Sequence, residues 1–326
     1  MKMLLGRLLA SGFALVGGVV SAQGYPDRGI TFVVPFAAGG ATDTLARQFA
    51  ERMSRGKPQA ILVENVAGAG GTVGAAKVAK AKPDGYTFLV GHVGYMAAAT
   101  GLYKQLPYDP VQDFDAVARF PDTPLVLICS KEKPHTASIQ ALVDFARNNP
   151  AKVNLANAGV GSSGHLVAAL VESQLKIEVT HVPYKGNAPA LTDILAGRVD
   201  CLFDQSNTAL PQVRAGKVAA LVTTARERLP QMPEVPTLNE SGLPGFEVAT
   251  WYGIYAPKGT PREALQWIAA QFAEAMGDKG FVDKLVETGY VLLPPEQQRG
   301  EALAAQTRRE VALWKKVIAD AKIPQQ

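Results

Sequence analysis

Strand-like and helix-like segments alternate along almost the whole chain, and this alternation restricts the fold to open α/β sheets with helices packed on their faces. The β-branched run Ile30 to Pro35 precedes Thr42 to Ser54, in which Leu45, Phe49 and Met53 fall at helical spacing. Ala60 to Glu64 is strand-like, Thr72 to Ala81 helical, and Thr87 to Val90 strand-like again. After a turn-like stretch from Tyr108 to Phe114, the pattern restarts with a strand at Leu125 to Ile128 and a helix from Ile139 to Asn148, stopped by Pro150. Strands at Val153 to Ala156, Val179 to Val182, Val199 to Phe203 and Ala219 to Thr223 follow, with helices at His165 to Leu175 and Pro189 to Ala196. A strand at Trp251 to Tyr255 and helices at Arg262 to Met276 and Gly300 to Ala321 belong to neither set by order. Two lobes joined by two crossings account for this, with the C-terminal segment returning to the first lobe. The crossings are expected near Ala118 to Thr123 and Phe246 to Thr250.

At 326 residues and 47% hydrophobic, the chain can bury two cores. Its first residues read as an export signal. Lys2 and Arg7 precede the uncharged apolar stretch Leu8 to Val20, and small residues follow at Ser21 and Ala22. That stretch is too short to span a hydrocarbon layer of roughly 30 Å as a permanent helix. Cleavage after Ala22 is expected, giving a signal at 1–22, one lobe from 23–120 plus 250–326, and a second from 121–249. Removing Lys2 and Arg7 from a formal charge of +4 leaves a nearly neutral protein. With no basic stripe interleaved with aromatics, nucleic acid is not an expected partner. Cys129 and Cys201 could pair in an oxidising compartment, but both lie in apolar strand-like runs, and we read them as two unpaired core thiols. No Cys/His cluster has metal-ligand spacing, and no cofactor is expected.

Three glycine-rich turns each lead from a strand into a helix: Pro35 to Asp43, Asn65 to Thr72 and Asn157 to His165. Helix starts offer unpaired N–H groups and a partial positive charge, which suit an anion. Two such turns from one lobe and one from the other can grip an anionic ligand without lysine or arginine. Gly159, Gly161 and Gly164 also spell the dinucleotide pattern G-x-G-x-x-G. The acidic residue that pattern needs is misplaced, because Glu178 opens the next strand instead of ending it. Ser162, Ser163 and His165 are adjacent but lack a nucleophile elbow, so hydrolase chemistry is not indicated.

At these turns the chain resembles the solute-binding proteins of tripartite tricarboxylate transporters, the Bug proteins. The resemblance is carried by PFAAGGATDTLAR (35–47), ENVAGAGGTVGAAKVAKAKPDGYT (64–87), LPYDPVQDF (106–114), NAGVGSSGHL (157–166), HVPYKGNAPALTDILAGRVD (181–200), ESGLPGFE (240–247) and APKGTP (256–261). It implies a two-lobed, type II-like periplasmic-binding-protein fold, each lobe a mixed, mostly parallel sheet flanked by helices. It also implies a non-catalytic, monomeric binding protein of the periplasm that holds a small carboxylate in the cleft for the membrane subunits of a transporter. A sensing subunit signalling to a membrane sensor kinase is the alternative, and an exported enzyme a remote one. Carried onto this chain, the ligand contacts would be Phe36, Ala37, Ala38, Thr42, Asp43 and His92 in the first lobe. In the second they would be Gly161, Ser162, Ser163, His165 and Asp204. Many relatives have serine where this chain has His92. With Tyr95 nearby, that hints at an aromatic or extended dicarboxylate, unless His92 simply packs.

Overall fold

The computed structural model describes residues 24–320 and 325, so the export signal lies outside the described residues. The first half runs β1 (Ile30–Val34), α1 (Ala41–Ser54), β2 (Ile61–Asn65), α2 (Thr72–Ala79) and β3 (Thr87–His92). A π turn (Gly94–Ala98) and α3 (Ala99–Leu102) then lead to β4 (Phe114–Arg119). The second set is β5 (Thr123–Cys129), α4 (Ile139–Asn148), β6 (Asn154–Asn157), α5 (Ser163–Leu175), β7 (Thr180–Pro183), α6 (Asn187–Leu195), β8 (Cys201–Gln205), α7 (Ser206–Arg214) and β9 (Ala219–Thr223). The chain ends with β10 (Ala249–Thr250), β11 (Tyr252–Pro257), α8 (Arg262–Gly277), α9 (Lys279–Glu287) and α10 (Gly300–Asp320).

Two mixed sheets result. One has the order β2-β1-β3-β11-β4; the other runs β10-β5-β8-β6-β7, with β9 also paired to β5. Strands β1, β2 and β3 are mutually parallel, and the returning β11 inserts antiparallel between β3 and β4. The chain passes between the sheets over Phe120 to Asp122 and again at Trp251. This is the two-lobed, type II-like arrangement, with helices on both sheets.

The central strands of each sheet are buried on both faces, as βα crossovers require, while the edge strands β2 and β7 are partly exposed. Along β5, Leu125, Leu127 and Cys129 enter one apolar cluster while Val126 and Ile128 enter another. In the first lobe Phe49 of α1 stacks on Phe272 of α8 at 5.3 Å and meets Phe120 edge-on at 4.7 Å. That contact joins the returning C-terminal segment to the first sheet.

The cysteines overturn the reading as two free thiols. Cys129 and Cys201 are register partners in the antiparallel β5–β8 pair, 4.0 Å apart at Cα, and form a disulfide. Their separation of 72 residues conceals a pairing that only strand register creates.

Candidate functional site

The first turn is shaped by Asp43. Its carboxylate accepts from the Gly39 amide at 2.8 Å, Arg47 Nε at 2.9 Å and Asn65 Nδ2 at 2.9 Å. Burial raises its pKa, but the hydrogen bonds from Arg47, Gly39 and Asn65 outweigh burial and hold the carboxyl below its ordinary range. Asn65 also donates to the Phe36 carbonyl at 3.0 Å. Asp43 therefore organises the turn from within its own lobe. The turn leaves the first N–H groups of α1 unpaired within the helix, because the ladder begins only with Thr44 donating to Gly40. Ala38 is exposed, Ala37 half-buried, and Thr42 is buried near the phenol of Tyr252.

The third turn presents the start of α5 in the same way. Ser162 is the N-cap and accepts from the His165 amide at 3.4 Å, and the helical ladder begins with Leu166 donating to Ser162. The Gly161 amide donates to His165 Nδ1 at 3.3 Å, while the His165 ring lies 5.1 Å from His181, which contacts Glu172 at 2.7 Å. Burial first, then the neighbouring His181, brings the His165 imidazole down to about 4, so it is neutral. Both features hold the turn from inside its own lobe.

His92, at the end of β3, reaches across. Its Nδ1 accepts from the Gly94 amide at 2.9 Å, which leaves the hydrogen of the neutral ring on Nε2, 2.9 Å from Ser163 Oγ. With both ring nitrogens engaged by the protein, His92 bridges the lobes. The rings of Phe36, Tyr95 and Tyr252 surround it at 5.4 Å. Asp204 is fully buried at the end of β8, where one oxygen accepts from Asn187 Nδ2 and the Gln205 amide. Burial pushes its carboxyl up to about 6. Its other oxygen makes no well-formed hydrogen bond among the described residues, and neither do Tyr252 OH, Thr123 Oγ1, Thr250 Oγ1 or Asn207 Oδ1, although the Tyr252 phenol faces Thr42 and Thr123 and the Asp204 carboxyl faces Thr208. These orphans sit along the seam between the lobes, where hydrogen-bonding capacity stays open to small polar groups.

Above the seam lies a cavity of about 870 Å³ with walls from both sheets' turns. Phe36, Ala37, Gly68 to Gly71 and Tyr103 line one side. Ala158 to Val160, Pro183 to Lys185 and Pro189 line the other. Of the eleven residues expected at the site, only Phe36 and Ala37 reach this wall; His92, Ser163, Thr42 and Asp204 lie in the buried seam. Gly68 to Gly71 belong to the second glycine turn, visible in the sequence but not assigned a contact residue. Tyr103, Tyr184 and Lys185 were missed; the last two stand in the motif HVPYKGNAP after β7. Lobe contact is close: the Ala37 amide donates to the Lys185 carbonyl at 3.1 Å, and Ser206 Oγ to the Gly289 carbonyl at 2.7 Å.

The wall carries one lysine and no carboxylate, and among the described residues no His, Cys, Asp and Glu cluster could hold a metal. Comparison with known proteins agrees with a receptor rather than an enzyme. The family model described as "Tripartite tricarboxylate transporter family receptor" matches residues 45–322. A Pseudomonas sp. protein from the tcbD–tcbE intergenic region is 39% identical, covering 92% of this chain and 88% of its own length. The solved MatC of Rhodopseudomonas palustris with bound malate is 39% identical, with a TM-score of 0.86 over 90% of this chain and 100% of that one. A second R. palustris protein, solved with adipate, is 35% identical, with a TM-score of 0.87 over 93% and 100%. A cleft between two sheets, helix starts facing it from both sides and a match over most of the chain lead to one assignment: this protein belongs to the tripartite tricarboxylate transporter receptor family of periplasmic solute-binding proteins.

Proposed function

We propose that this protein captures a small dicarboxylate in the cleft between its lobes, 23–120 plus 250–326 and 121–249, and presents it as a monomer to the membrane subunits of a transporter. The observation that carries the reading is the cleft's chemistry. The start of α2 at Gly71 and the first turn of α6 at Pro189 reach its wall from the two lobes, Lys185 stands beside them, and no acidic side chain lines it. A carboxylate would be held by backbone amides already fixed in place, and the apolar walls from Phe36, Tyr103 and Tyr184 would cover the carbon chain. The relatives solved with malate and adipate carry ligands of this class. Charge-assisted hydrogen bonds contribute roughly 1.5–3 kcal/mol each, so a few suffice for micromolar affinity.

Malate or adipate, titrated into the purified protein, is expected to release measurable heat. At one hundred times the dissociation constant it should stabilise the fold by roughly 2.7 kcal/mol, read as a rise in melting temperature. The corresponding diamides should do neither. Absence of heat and of any melting shift across malate, adipate, succinate and benzoate would count against carboxylate capture. Export with cleavage after Ala22 belongs to the same proposal. The intact mass of the exported protein should correspond to a chain starting at Gln23, and a retained leader would contradict it.

A further inference from the structure

We propose that His92 is a positioning residue for ligand capture: through Ser163 it latches the two lobes in their closed arrangement, without touching the ligand. This rests on the capture reading above and adds to it how closure is held.

The geometry sets the latch. His92 ends β3 in one sheet and Ser163 opens α5 over the other, so the 2.9 Å contact between Nε2 and Oγ spans the cleft. Both residues are buried, at 1% and 3% exposure, so water does not compete for the bond. The Gly94 amide fixes the ring's tautomer by donating to Nδ1. Ser163 is also the first residue of α5, so tethering its side chain places that helix's free amides against the first lobe.

Only the neutral ring satisfies this arrangement, because a protonated imidazole carries a second N–H that collides with the Gly94 N–H. Nothing around it offsets a charge. From the π turn and β11 it faces the phenols of Tyr95 and Tyr252, both raised by burial and therefore neutral. From the first turn it faces the uncharged Phe36. On α5, His165 is itself neutral and engaged with Gly161 and His181, and Glu172, more than two turns further along, is engaged by His181 and the Val179 amide. Burial accordingly lowers the closed-state pKa to about 3. With the lobes apart, the ring meets water on its Ser163 side and returns toward an ordinary value of about 6.5. A base whose pKa falls on closure favours closure above pH ~6.5 and opposes it below, by about tenfold per pH unit. Asp204 works in the opposite sense, since burial raises its carboxyl to about 6. The informative quantity is thus the comparison with a variant that keeps the donor but cannot titrate.

In His92→Gln, the amide Nε2 reaches as far from the backbone as the imidazole Nε2. At pH 7.5, His92→Ala is expected to weaken malate or adipate binding at least tenfold, and His92→Gln to restore it to within about threefold of the parent. From pH 7.5 to 5.5 the dissociation constant of the parent should rise about tenfold relative to that of His92→Gln. Ser163→Ala, which removes the other half of the contact from the second lobe, should weaken binding severalfold. It covers the case in which His92→Ala does not fold. In solution scattering without ligand, acid should enlarge the radius of gyration of the parent but not of His92→Gln. A constant parent-to-Gln ratio across pH, together with full-affinity binding by Ser163→Ala, would overturn the latch. If neither acid binds the parent, dicarboxylate capture fails by itself; the ligand-free scattering still decides the latch, and an identical acid response in parent and His92→Gln rejects it.

Discussion

Gly94→Ala is expected to weaken dicarboxylate binding about a hundredfold while leaving the protein folded. Gly94 opens the π turn after β3 with ordinary right-handed backbone angles, so alanine introduces no local backbone strain. An added Cβ there would run into the carbonyl oxygen of Gly161, on the third turn of the opposite lobe. A backbone carbonyl cannot rotate away as a flexible side chain can, so the lobes must part to admit the methyl group. Packed interfaces yield in discrete steps, and the closed arrangement becomes a minor state. Apparent affinity falls with the closed fraction, and a hundredfold loss corresponds to a shift of about 2.7 kcal/mol in that equilibrium. The same methyl group would crowd His92 Nδ1 at 3.0 Å, which acts in the same direction. Gly70→Ala meets the Val160 carbonyl across the cleft, but Gly70 has φ +61°, so that variant mixes lobe separation with strain. Gly277→Ala, where a Cβ would meet nothing within 4 Å, serves as the control and should bind normally. Calorimetry with malate or adipate, paired with solution scattering, reads both arms. Unchanged affinity and unchanged compaction in Gly94→Ala would show that this contact does not govern closure.

The βα alternation was legible because both periodicities survive in long segments such as Leu45, Phe49 and Met53, and because β11 stands apart from both sets in sequence. Elements that escaped did so for local reasons. Helix α7 contains Pro211 in a short polar stretch, a pattern that reads as loop. Strand β4 lies between the turn-like Tyr108 to Phe114 and the crossing expected near Ala118 to Thr123, and is too short between them to show an alternation of its own. At the site, the helix starts were legible because glycine and capping serine leave a chemical signature at a βα turn. Which side chains they serve was not, because that depends on contacts between residues far apart in the chain. Asp43 looks like a ligand contact from its position in the turn, yet Gly39, Arg47 and Asn65 consume its carboxylate. His92 looks like a donor for a ligand until Ser163, 71 positions away, occupies it. Lys185 and Tyr184 reach the wall only because β7 lies at the edge of the second sheet beside β6, which leads into the third turn.

The same dependence on register governs the second large effect, replacement of Cys129 and Cys201 together by alanine. The disulfide closes a loop of 72 residues, and the chain-entropy account gives about 4 kcal/mol for a loop of that length. Loss of the two buried sulfurs from the core adds to this cost, since both cysteines are fully buried among Leu127, Leu155 and Phe203. For a domain of this size, roughly 2–4 °C accompanies each kcal/mol, so the melting temperature should fall on the order of 10 °C. Affinity should behave differently. Strands β5 and β8 run antiparallel, and the register that pairs Cys129 with Cys201 pairs Leu125 with Gln205 at the other end. Asp204 and Gln205 approach the cleft at that end, so the disulfide lies about 13 Å away along the strand. Below the transition, the double variant should therefore bind malate or adipate within a few fold of the parent. Calorimetric melting of parent and variant, with binding measured at 25 °C, separates the two effects. A melting temperature within 2 °C of the parent would mean the cross-link adds nothing to a register that β5 and β8 already hold by their own pairing. A large affinity loss at 25 °C would mean instead that the strand ends are transmitted to the cleft.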